Sequence, residues 1–105
     1  MPTKSYEEVL LQELRDPDLS AEYLSATMSK RSLSAFKTSL AKVVEAHGGR
    51  DVILEPSGLT EREIEQLFNP EAELNLRPLL ALLRCLGLSL GVFPEEETGS
   101  EPQGQ

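Results

Sequence analysis

Residues 49–69 read GRDVILEPSGLTEREIEQLFN, and this stretch decides the fold. Val52, Ile53 and Leu54 give Asp51–Glu55 the start of a short helix, which Pro56 and Gly58 are expected to end. Thr60 then caps a second helix, with Glu63 at the spacing of a capping box, where each side chain satisfies the other residue's free backbone N–H. Leu59, Ile64, Leu67 and Phe68 form the inner face of that helix, and Asn69-Pro70 breaks it. Gly58 stands at the centre of the turn, where positive φ is needed. Two short helices around such a turn, the second locked by inward apolar residues, predict a helix-turn-helix at about 51–68.

The flanking sequence extends this pattern. Upstream, Ser5 and Glu8 form a capping box before Val9, Leu10, Leu11 and Leu14, so 5–15 reads as a helix. Asp16-Pro17 starts the next helix, because Asp accepts from orphan amides and Pro lacks only an N–H that the first helical position does not use. Leu19, Tyr23, Leu24 and Ala26 follow at helical spacing to about Met28, and 29–32 is a polar, basic link. Leu33, Phe36, Leu40, Val43, Val44 and His47 make a wide apolar stripe that Gly48-Gly49 terminates. Downstream, 70–75 is a loop. A leucine-rich helix runs from about Asn75 to Leu86, with Pro78 tolerated in its first turn, and Gly87 closes it. Leu88-Ser89-Leu90-Gly91-Val92 alternates apolar and small residues and predicts a short strand. The expected fold is therefore all-α, five or six short helices with one short C-terminal β-strand. Residues 1–15 read as a helical arm, 16–94 as the helix-turn-helix domain and 95–105 as a disordered acidic tail.

Composition narrows the function classes. The chain has 105 residues with 39% apolar and 27% charged, which suits one small domain with a modest aliphatic core. No run approaches the roughly 20 apolar residues of a membrane span. One cysteine, Cys85, and one histidine, His47, leave no intrachain disulfide and no Cys/His zinc site. These features point to a reducing cytoplasm. The same scarcity argues against an enzyme, and no cofactor or metal is expected. Cys85 falls in the leucine stripe as a small hydrophobe, and His47 sits at a helix C-terminus where the dipole favours a cation.

Net charge is −8, but it is uneven. Lys30, Arg31, Lys37, Lys42 and Arg50 face only Glu45 within 28–50, which makes this segment +4 while every other part of the chain is acidic.

The order of elements resembles the addiction-module antidote family, the Cro/C1-type helix-turn-helix antitoxins of RelE/ParE-family toxins. Asp16-Pro17 with Ala21, Tyr23-Leu24 and Ala26 resembles the family's opening DP…A.YL..A pattern. Phe36, Leu40, Val43-Val44 and Ala46-His47-Gly48-Gly49 resemble its central helix. Gly58-Leu59-Thr60 with Glu63-Ile64 resembles the start of its recognition helix, and Asn69-Pro70-Glu71 its S-P-E loop. Leu79-Leu80, Leu83 and Leu86-Gly87-Leu88-Ser89-Leu90 with Val92 resemble its closing segment, so the match covers roughly residues 7–93. The resemblance implies a lambda-repressor-like bundle, an operator on double-stranded DNA, a homodimer and a RelE/ParE-like toxin as partner. Where the family usually shows Arg, Lys and Tyr on the recognition helix, this chain carries Glu61, Glu65 and Gln66.

The candidate DNA-binding residues follow. Thr60, Glu61, Arg62, Glu65, Gln66 and Asn69 are the outward positions of the second helix, and Gln66 is suited to reading adenine. Lys37 and Arg50 are expected to position phosphates. Lys42 reads better as ordinary surface charge. A solvated helix face explains the same outward residues without DNA. Two functions remain open: a DNA-binding regulator of antitoxin type, and a protein-interaction module of the same fold without DNA binding. High leucine density over 76–90 and the unpaired strand favour a homodimer in either case.

Overall fold

The computed structural model describes residues 5–95. Six helices stand among them: α1 (Tyr6–Glu13), α2 (Pro17–Met28), α3 (Leu33–Ala46), α4 (Arg50–Ser57), α5 (Glu61–Phe68) and α6 (Leu76–Cys85). Their starts are set by local chemistry. Ser5 and Thr60 make complete capping boxes with Glu8 and Glu63. Asp16 accepts from the Asp18 amide, and Ser32 from the Ala35 amide. At the end of α3, Gly49 takes φ 96° and donates its N–H to the Val44 carbonyl, a conformation a β-carbon would oppose.

Helix α3 is the axle of the bundle. It packs against α1, α2, α4 and α5, while α6 closes over α4 and α5. Leu40 and Val43 from α3 and Leu82 from α6 lie wholly out of solvent, with Leu24, Phe36, Val44, Ile53, Ile64, Leu67 and Leu79 around them. Each such burial contributes about 1.5–3 kcal/mol before the entropy of ordering the chain is subtracted. Leu14, just past α1, belongs to the same core, so the N-terminal helix is packed rather than projecting. The buried Ser20 hydroxyl donates to the Leu14 carbonyl at 2.6 Å and ties the end of α1 to α2.

Two local features differ from the sequence expectation. First, α4 does not stop before Pro56 but passes through it to Ser57. Proline removes the hydrogen bond its own N–H would give to the Val52 carbonyl, and its ring crowds that carbonyl. Val52 is exposed, so solvent can serve that carbonyl. Second, Leu88–Val92 is neither helix nor strand within one chain, and no strand occurs among the described residues. A strand exists only when paired, and a single chain of helices supplies no second strand. Leu88 instead donates its N–H to the Leu83 carbonyl at 2.7 Å, closing α6. Beyond Glu95 the expected acidic tail lies outside the described residues. No described helix is long and apolar enough to cross a membrane.

Candidate nucleic-acid interface

The turn between α4 and α5 is built as its sequence requires. Gly58 adopts φ 74°, ψ 11°, in the left-handed region, and donates to the Glu55 carbonyl at 3.1 Å. The Ser57 hydroxyl donates to the Leu54 carbonyl and accepts from the Leu59 amide. Leu59 is thereby driven into the core beside Ile64 and Leu67. These three fix the inner face of α5, and Thr60, Glu61, Arg62, Glu65, Gln66 and Asn69 all face solvent. The six outward residues thus share one short exposed surface.

Their side chains are not equally free. Thr60 Oγ1 accepts from the Glu63 amide at 3.1 Å, and Glu63 returns the favour to the Thr60 amide at 3.0 Å. Asn69 Oδ1 accepts from the Glu71 amide at 2.9 Å, holding the loop after α5. Both residues serve their own backbone first. Glu61, Arg62, Glu65 and Gln66 form no hydrogen bond or ion pair through their side chains among the described residues. Two of these four are carboxylates, which repel phosphates.

Lys37 is the main correction to the expected site. It is 1% exposed and cannot reach a phosphate. Its Nζ donates to the carbonyls of Gln66 at 3.1 Å, Asn69 at 2.7 Å and Ala72 at 2.5 Å. The first two are carbonyls at the end of α5, where the helix dipole is negative and the acceptors lack helical partners. A cation therefore suits this position, although burial pushes the ammonium down from its ordinary value of 10.5. Lys37 clamps α5 and its following loop onto α3 from within.

Other cations are also committed. Arg50 remains exposed at the start of α4, with its guanidinium 4.8 Å from the centre of the Phe68 ring, a cation–π contact joining α4 to the end of α5. Arg50 also borders a cleft of about 230 Å³ between the two helices, together with Asp51, Leu54, Glu61, Ile64 and Glu65. Lys42 pairs with Glu7 and lies 3.8 Å from Glu45, and its ammonium is raised by the hydrogen bond to Glu7. Arg31 pairs with Glu95 at 2.9 Å. The five cations of 28–50 are thus dispersed. Arg77, which the sequence reading did not single out, pairs with Glu63 beside the start of α5. That hydrogen bond and the Thr60 amide hold the Glu63 carboxyl below its ordinary value, the backbone bond being the larger cause. Only the position of Arg77 at the second residue of α6 could have hinted at this. Comparison with family models, with curated proteins and with solved structures finds no match. Among the described residues no three His, Cys, Asp or Glu side chains come together as a metal site would need.

Proposed function

We propose that the chain is a DNA-binding transcription regulator of antitoxin type, acting in the cytoplasm. In this reading it binds operator DNA as a homodimer and neutralises a RelE/ParE-like toxin. One observation carries it: α4, the Gly58 turn and α5 pack together as a helix-turn-helix whose second helix presents Arg62, Glu65 and Gln66 outward from a buried inner face. A helix so held can enter a major groove with its outward side chains against base edges. The ordered resemblance over roughly 7–93 supports the same reading. Arg50 and Arg62, on α4 and α5 themselves, are exposed cations with no ion pair among the described residues and remain for phosphates.

A second reading rests on the charge disposition. Lys37 is internal, Arg31 and Lys42 are bound to carboxylates, and Glu61 and Glu65 occupy the outward face. That surface suits a protein partner without DNA. Titration of the chain with duplex DNA at two salt concentrations separates the two. Each phosphate contact contributes about 0.9 to the logarithmic salt slope. Under the first reading, Arg50→Ala lowers that slope, and Gln66→Ala relaxes preference at one base pair by roughly 1–3 kcal/mol. Glu65→Lys strengthens binding at low salt. If Glu65→Lys leaves duplex affinity unchanged there, α5 does not face DNA and the interaction module takes its place.

A further inference from the structure

The segment after α6 carries an unspent apolar surface. Leu88 and Leu90 line a narrow groove against Leu24 and Phe36 of the same chain. Val92 and Phe93, by contrast, are 97% and 81% exposed. Among the described residues no hydrogen bond engages the backbone N–H or C=O of Ser89 through Phe93. Beside this segment lies an apolar groove of about 260 Å³, walled by Met28, Leu33, Phe36 and Leu74 and rimmed by Arg31 and Ser32. Met28 and Leu33 on its wall are themselves exposed. The Phe93 ring does not enter this groove but folds back over Gly91. Two residues later, Glu95 reaches Arg31 on the groove rim at 2.9 Å.

We infer that the occupant of this groove is Phe93 of a second copy of the chain, exchanged across a two-fold axis. The inference rests on the homodimer part of the function proposed above. Three features select a second copy over a foreign partner. The apolar projection and the apolar recess are on the same molecule, which is the self-complementarity an isologous two-fold contact requires. The charges match in the same sense: the acidic Glu95 follows Phe93, and the basic Arg31 rims the recess. Exchange replaces the intrachain Arg31–Glu95 pair with an identical pair between copies, so no polar contact is lost. Finally, antiparallel approach of two copies lets the open backbone of 89–93 find partners, which a single chain cannot provide.

Sedimentation equilibrium of the full chain from low to high micromolar concentration tests this. The mass is expected to rise from 11.6 kDa toward twice that value. Replacing both exposed residues (Val92→Ser with Phe93→Ser) is expected to raise the dissociation constant at least about tenfold, as loss of a central aromatic anchor does. The helical circular dichroism of the monomer should stay unchanged, since neither side chain is in the core. A mixture of chains carrying Leu33→Cys or Val92→Cys singly, each with Cys85→Ser, should form an interchain disulfide that neither chain forms alone. A wild-type chain that stays monomeric throughout, a dimer indifferent to the double replacement, or a mixture without the crosslink overturns the inference. Duplex-DNA titration of the same samples keeps the two proposals apart. A Phe93-independent dimer that binds duplex overturns this contact alone, whereas a Phe93-dependent dimer blind to DNA overturns the operator reading alone.

Discussion

Lys37 shows how one side chain can be read two ways. Its position, three residues before Leu40 and seven before Val44, puts it on the buried stripe of α3. The spacing therefore held the answer, but the general preference of lysine for solvent and its place in the basic segment pointed outward. What spacing cannot disclose is the trio of carbonyls 29 to 35 residues downstream that makes burial tolerable. Lys37→Met keeps the stem and volume while removing the donors. We expect it to destabilise the chain by about 1–3 kcal/mol, because three part-buried carbonyls lose their charged donor. Urea denaturation giving a loss below about 0.5 kcal/mol, the size of an ordinary surface substitution, would show that the clamp holds nothing. Glu63 gives a second test. Its carboxyl is held below the ordinary 4.5 by the Thr60 amide and Arg77. The linked stability is complete above pH 4.5 and disappears as pH falls through the lowered value. Glu63→Gln keeps the capping geometry and removes the titration. The acid side of its stability curve should be flatter than that of the wild type, and parallel curves would refute the assignment.

Elements were most legible where a cap or a stop is written into two or three adjacent residues. Ser5-x-x-Glu8, Asp16-Pro17, Thr60-x-x-Glu63 and Gly48-Gly49 all mark boundaries found in the structure. Pro56 misled because a proline's cost depends on which carbonyl loses its partner, and here that carbonyl belongs to an exposed residue. The alternation over 88–92 misled because a strand needs a paired neighbour, and no second strand stands among the described residues. The outward face of α5 was legible from the same periodicity that hid its inner face, yet the commitment of Thr60 and Asn69 to their own backbone emerges only from distances. The turn itself offers a clean experiment. A β-carbon on Gly58 would meet nothing within 4 Å. Gly58→Ala should therefore cost only the conformational penalty of a left-handed residue, about 1–2 kcal/mol, and Gly58→Asn should cost less. Urea midpoints with unchanged slopes would register both. An alanine variant as stable as wild type would mean that the turn relaxes to another geometry.

At the scale of the whole molecule, the most deeply buried leucines stand on α3 and α6, the first at the centre of the bundle and the second on the helix that closes it over α4 and α5. Leu40→Ala and Leu82→Ala each open a void in a site with no exposure at all, and each should lose about 2–5 kcal/mol. On a chain of 105 residues such a loss is a large share of the total, so partial unfolding at 37 °C by circular dichroism is the expected outcome. Full retention of the melting temperature would argue that the core repacks. The clamp from α3 to the far end of α5 also makes one amine a reporter of the entire fold. An acylating reagent meets Lys30 in solvent and Lys42 at a partly open ion pair, but it meets Lys37 only after α3 and α5 have separated. The rate of Lys37 modification then measures how often the bundle opens. Each modified molecule has exchanged a three-fold donor for a neutral amide and can no longer close, so acylation at this single nitrogen works as a ratchet that draws the population toward the open chain.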